Sequence, residues 1–182
     1  MVKPKKIIND EKDAVDEFIS GLLMQYPNRL VKLANHHVIL TANPATECIQ
    51  LLSGGGSGHE PSHAGWIANN GTMLSGAICG GIFASPSVAS ILAAIRASAA
   101  TNNKKGILLV VKNYTGDRLN FGMAIEKANQ EGIVSKITFI VVPGVHGCGD
   151  SYLDSCFLLL IFISTFSTVL RFDLAMPNGC YC

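Results

Sequence analysis

Residues 106–142 read GILLVVKNYTGDRLNFGMAIEKANQEGIVSKITFIVV, and this stretch decides the fold class. Gly106 to Val111 is a continuous, branched apolar run, the pattern of a strand buried on both sheet faces. Polar residues Lys112 to Asp117 follow where that strand ends. A helix is expected over about 118–131 with Gly132 as its C′ residue, and Ile137 to Val142 reads as the next strand. Strand, helix and strand joined by tight links form a βαβ unit, which closes right-handed onto a parallel sheet. The expected class is α/β: a mostly parallel sheet with flanking helices.

Upstream, residues 10–25 carry Val15, Phe18, Ile19, Leu22 and Leu23 at helical spacing, with Asn9 or Asp10 as cap and Pro27 past the end. Val38-Ile39-Leu40 is a short strand, and Asn43-Pro44 marks a turn. Cys48 to Leu52 reads as the end of a buried strand that feeds a glycine-rich loop. After a turn at Asn69-Asn70-Gly71, Met73 to Phe83 is apolar but broken by Gly76, Gly80 and Gly81, so a short strand running into a flexible connection is expected. Ser85 and Pro86 then suit the N-cap and first position of a helix whose buried face is Val88, Ile91, Leu92 and Ile95.

The loop itself is SGGGSGHEPSHAG, Ser53 to Gly65. Its glycines, Gly54, Gly55, Gly56 and Gly58, are poor material for helix or strand, and they offer bare peptide N–H groups to a ligand. His59, Glu60 and His63 stand directly behind them and can do proton chemistry. A cradle of this kind after a strand points to a site at the carboxyl end of a sheet. His59 to His63 matches H-E-x-x-H in letters, but Pro61 and Gly58 deny it the continuous helix on which two histidines chelate zinc. No metal site is expected. No Gly-Lys-Ser/Thr follows the glycines, which excludes a Walker loop, and Ser57-Gly58-His59 does not complete G-x-S-x-G. What remains is a polar pocket made by two strand ends, one bringing glycine amides and His59, the other Lys112 and Asp117. Such a pocket suits a polyhydroxyl or carbonyl substrate, with Asp117 taking a hydroxyl proton. The bland alternative for Lys112 and Asp117 is an exposed ion pair on a surface loop.

A formal net charge of +1 over 182 residues gives no field to draw nucleic acid. The cluster Lys3, Lys5, Lys6 is answered by Asp10, Glu11 and Asp13, and no apolar signal segment follows it. The six cysteines form no CxxC pair, so a reduced, cytoplasmic setting is expected. Residues 151–182 hold only three charges, and Cys156 to Leu170 is an uncharged, largely apolar run of 15 residues, short for a membrane span.

SGGGSGHEPSHAGW (Ser53 to Trp66), FASPSV (Phe83 to Val88) and LLVVKNYTGDRLNFGMAIEKA (Leu108 to Ala128) closely resemble the dihydroxyacetone (glycerone) kinase family, in its substrate-binding K unit. The likeness covers about residues 5–137. It implies a phosphoryl transfer to dihydroxyacetone, and to glyceraldehyde as a second acceptor, in glycerol and triose metabolism. It also implies substrate contacts from Gly56, Ser57, Gly58, His59, Lys112 and Asp117, with His59 and Asp117 catalytic. ATP and Mg²⁺ belong to a separate helical unit of the family and are not expected to bind this chain; a homodimer is the family's assembly. Past Ile137 the chain departs from the family pattern and lacks the histidine that holds the substrate carbonyl covalently; His146 is not in that context. Residues 1–143 are therefore expected to be the N-terminal part of a K domain, incomplete and inactive alone, and 144–182 an unrelated tail, disordered or aberrant. Two rivals stand beside this reading: a non-catalytic binding or regulatory fragment, and a membrane-attached protein held by residues 156–170.

Overall fold

The computed structural model describes residues 7–58, 63–67, 73–101, 105–133 and 137–142. Six strands form one sheet: β1 (Leu30–Lys32), β2 (Val38–Thr41), β3 (Gln50–Ser57), β4 (Gly76–Ile82), β5 (Ile107–Lys112) and β6 (Ile137–Val142), in the order β1-β2-β4-β3-β5-β6. β3 pairs in parallel with β4 on one side and β5 on the other, and β6 extends the parallel set. β2 alone runs against the others, pairing antiparallel with β1 at the edge and with β4. Among the described residues three α-helices accompany the sheet: α1 (Ala14–Gln25), α2 (Val88–Thr101) and α3 (Thr115–Gln130). The expected α/β sheet with flanking helices is what forms.

The alternation of side chains along each strand divides the core in two. Leu52, Ile78, Leu109 and Val111 point to one face, where Ile91 and Ile95 of α2 and Phe121 and Ile125 of α3 bury them. Ile39, Ala77 and Cys79 point to the other, where Val15 and Ile19 of α1 close over them. Asp16 ties α1 to the antiparallel edge, 2.6 Å from Lys32 Nζ and 3.2 Å from His37 Nε2. Hydrogen bonds from those two, Lys32 first, hold the Asp16 carboxyl below its ordinary 3.8.

Several expected boundaries move. β6 spans the expected residues, and Gly132 closes α3 with φ +61, as a C′ glycine should. Asp10 caps a short 3-10 turn, Glu11–Asp13, that leads into α1. Helix α2 begins at Val88 and not at Pro86, because Ser87 is its cap: the Ser87 hydroxyl accepts the Ser90 N–H at 3.1 Å. Met73 to Phe83 yields a full strand, β4, despite its glycines. The largest correction concerns β3. The apolar pattern ends it before the glycines, yet it continues through Gly54, Gly55 and Gly56 to Ser57. Ladders to β4 and β5 on both sides supply the backbone partners that low strand propensity alone would not secure.

Candidate functional site

The glycines of β3 make room for neighbours more than they lend flexibility. A Cβ on Gly54 would run into the Ile78 carbonyl oxygen; one on Gly55 would sit 2.7 Å from Lys112 Nζ. At Gly56 it would lie 2.8 Å from Ala84 N. Real Cβ contacts are longer than any of these. Of the four glycines from Gly54 to Gly58, only Gly58, just past β3, uses the left-handed region, with φ +102.

The segment pressed onto Gly56 is the turn after β4. Phe83 takes φ +48, costly for an aromatic residue, and its N–H donates to the Ser57 carbonyl at 2.9 Å. Ala84 then fits over Gly80, where any Cβ would strike the Ala84 carbonyl oxygen. Ser85 fits against Gly116, whose Cβ would lie 2.6 Å from Ser85 Oγ. Asn120 of α3 donates to the Pro86 carbonyl at 2.8 Å. This docking occupies Ser85 and Pro86, which is why α2 starts after them.

Helix α3 starts at Thr115, three residues before the expected 118, so Asp117 falls in its first turn. There it is 2% exposed, and Asp117 Oδ1 is buried with no hydrogen bond among the described residues. A buried carboxyl oxygen left in this way is costly unless something else meets it. Asp117 is one of the residues lining a cleft of about 270 Å³. Gly56 and Lys112 line the cleft with Asp117; Ser85 and Gly116 form one wall, and Phe83 and Tyr114 stand at its rim, 76% and 48% exposed.

The location follows from topology. The connection leaving β3 turns toward β4, whereas the one leaving β5 turns toward β6. Neighbouring strands whose exits diverge open a crevice at their carboxyl ends, where open α/β sheets bind ligands. Gly56 is the next-to-last residue of one of those strands and Lys112 ends the other.

Of the expected site residues, the structure brings Gly56, Lys112 and Asp117 together. Ser57 is turned away: its hydroxyl donates to the Gly80 carbonyl at 3.0 Å and serves the sheet. Gly58 packs beneath the Phe83 ring, which a Cβ would approach to 2.9 Å. His59 and Glu60 lie outside the described residues. Sequence reasoning gave no part to Phe83, Ser85 or Tyr114, and none to the contact between Lys112 Nζ and His63 Nδ1 at 2.9 Å. The tight F-A-S-P spacing after a glycine pair was the available signal for the first two. Chemically, an ammonium, a buried carboxyl and a bare strand backbone meet around a volume fit for a small polar molecule.

The Dak1 domain family model matches residues 20–143 of the chain. The triokinase/FMN cyclase of Mus musculus is 49% identical over 138 residues, which cover 75% of this chain and 23% of that protein. The dihydroxyacetone-binding subunit DhaK of the PTS-dependent dihydroxyacetone kinase of Lactococcus lactis is 41% identical, over 76% of this chain and 40% of the subunit. Among solved structures, the native dihydroxyacetone kinase of C. freundii superposes with a TM-score of 0.71 at 35% identity, covering 92% of this chain and 32% of that one. The chain thus spans about a quarter of the length of curated relatives such as the mouse protein. Glycine strand, docked turn and buried carboxyl all fall inside the matched segment, and the chain belongs to the Dak1 domain family.

Proposed function

We propose that the chain carries the front half of a dihydroxyacetone-binding site, the part of a kinase that presents the substrate hydroxyl for phosphorylation. The observation that carries this is the meeting of Gly56, Lys112 and the buried Asp117 in one cleft at the switch point of the sheet. In this reading the backbone from Gly56 to His59 contacts the substrate, Ser57 and Gly58 through their main chain. The Lys112 ammonium meets a substrate oxygen, and Asp117 accepts the hydroxyl proton while His59 hydrogen-bonds the substrate. Glyceraldehyde, an isomer of dihydroxyacetone that also carries a carbonyl and a primary hydroxyl, is a second acceptor.

In the whole enzyme ATP would supply the phosphoryl group, with Mg²⁺ neutralising charge on its phosphates. Among the described residues no three His, Cys, Asp or Glu side chains converge as metal ligands, and this reading assigns nucleotide and metal to the family's separate unit. The family match ends at residue 143, which supports reading 144–182 as a separate tail and 1–143 as the front of the K unit. No helix among the described residues is long and apolar enough to cross a membrane. A cytoplasmic setting and a homodimer complete the reading.

The test is a chemical-shift titration of the ¹⁵N-labelled chain with dihydroxyacetone. Saturable changes at Gly56, Lys112 and the first turn of α3 are expected, and Lys112→Met should abolish them. A flat titration, or changes confined to other regions, would sink the assignment.

A further inference from the structure

We propose that His63 is the positioning residue of this cleft. It is a neutral imidazole whose Nδ1 accepts from the Lys112 ammonium and fixes where that charge points. The inference rests on the dihydroxyacetone reading above for its ligand and on geometry for the rest. Lys112 Nζ lies 2.9 Å from His63 Nδ1. An ammonium has donors only, so Nδ1 is the acceptor and the ring proton belongs to Nε2.

The two partners differ in rigidity. Lys112 is a half-buried side chain at the end of β5, on a four-carbon stem that alone would sample many rotamers. His63 is fully buried at 0% exposure and leads into a 3-10 turn, Ala64–Trp66, whose Ala64 packs in the core beneath α1. The ring therefore belongs to the fixed part of the molecule and the ammonium to the movable part. Gly55 supplies the remaining constraint. Its missing Cβ leaves the space, 2.7 Å from Nζ, through which the lysine crosses β3 to reach the ring.

A neutral acceptor is the right chemistry for this task. A carboxylate in the same place would orient the ammonium but cancel its field. An imidazole orients it without bringing a negative charge of its own. A protonated ring is disfavoured, since two cations 2.9 Å apart in a buried setting repel strongly. An ammonium has three N–H groups, so donating to His63 sets its direction without exhausting it. Fixing a donor before the ligand arrives is how a site lowers the ordering cost of binding.

The first measurement needs no variant. Long-range ¹H–¹⁵N correlation of histidine-labelled full chain at neutral pH should show an unprotonated, pyridine-like Nδ1 and a protonated Nε2 at His63. Lys112→Met should move the Nδ1 resonance toward that of an imidazole without a donor. A protonated Nδ1 in the unsubstituted protein overturns the proposal outright. The second measurement is affinity for dihydroxyacetone. His63→Leu should weaken it about tenfold, the loss expected for one charge-assisted hydrogen bond. His63→Asn, whose amide oxygen reaches close to the Nδ1 position, should restore most of it. A merely structural histidine would show no such rescue, and a His63→Leu protein that binds as the unsubstituted chain does would end the positioning role. A chain that keeps the acceptor Nδ1 but binds no dihydroxyacetone supports the Lys112–His63 geometry and overturns the ligand reading.

Discussion

Gly54 and Gly55 are adjacent on one strand, yet a methyl group at each would meet different matter. At Gly54 the obstacle is backbone, the Ile78 carbonyl of the neighbouring strand; at Gly55 it is the far end of the Lys112 side chain. Backbone in a central strand cannot yield without disturbing its ladder, whereas a lysine can swing away. Gly54→Ala should therefore destabilise by about 1–3 kcal/mol, as overpacking of a tight interior does. Gly55→Ala should change unfolding by less than about 1 kcal/mol, within the range of a tolerated substitution, but abolish dihydroxyacetone binding. Urea unfolding and a ligand titration on the two variants separate the effects, and equal stability losses would refute this division. The sequence drew attention to these glycines but to the wrong property. Four glycines in five positions look like flexibility because local propensity is all a sequence displays. The reason for them lies in β4 and β5, which are remote in the chain. Asp117 and Lys112 were legible because polar residues after a buried apolar run stand at a strand end. The His63–Lys112 contact spans 49 residues of separation and leaves no local trace.

At the scale of elements, legibility tracked how strongly each segment's own pattern fixed it. β5, α3 and β6 carry continuous or periodic apolar residues, and their expected bounds fall close to the true ones. β1 has three residues, two of them exposed, and shows no pattern of its own; it exists because β2 pairs with it. The starts of α2 and α3 differ from expectation for one shared reason: the Phe83–Pro86 turn docks against α3. That docking makes Gly116 special within its helix. A Cβ on Gly122, in the same helix, would have nothing within 4 Å, whereas one on Gly116 would face Ser85 Oγ at 2.6 Å. Gly122→Ala should stabilise by about 0.5–1 kcal/mol through helix propensity. Gly116→Ala should gain less or lose, because Ser85 has to turn. Pairing it with Ser85→Ala should recover part of the gain, and the coupling in a double-mutant cycle measures the docking. Simple additivity of the two substitutions would show that the contact carries no energy.

For the whole molecule, the parallel strand order separates holding a substrate from phosphorylating it. The order β4-β3-β5 creates one crevice, and the chain fills its rim with a buried carboxyl, an oriented ammonium and a close-packed backbone. In the proposed reading those groups bind a small polyhydroxyl molecule and draw off its proton. Phosphoryl transfer asks for more, namely a nucleotide with its metal ions held in line with the attacking oxygen. The 182 residues match 23% of the mouse triokinase and 40% of the bacterial dihydroxyacetone-binding subunit, and no Gly-Lys-Ser/Thr follows their glycines. A polypeptide of these residues, purified and given ATP, Mg²⁺ and dihydroxyacetone, should form no dihydroxyacetone phosphate above a blank. The same preparation should still show saturable shifts at Gly56 and Lys112 when titrated with dihydroxyacetone. Asp117→Asn, which keeps the shape of the side chain, should leave that binding within about threefold, the scale of one modest hydrogen-bond change. Clear turnover by the unsubstituted polypeptide would show that the phosphoryl donor is bound within these residues and that the division between holding and transfer is wrong.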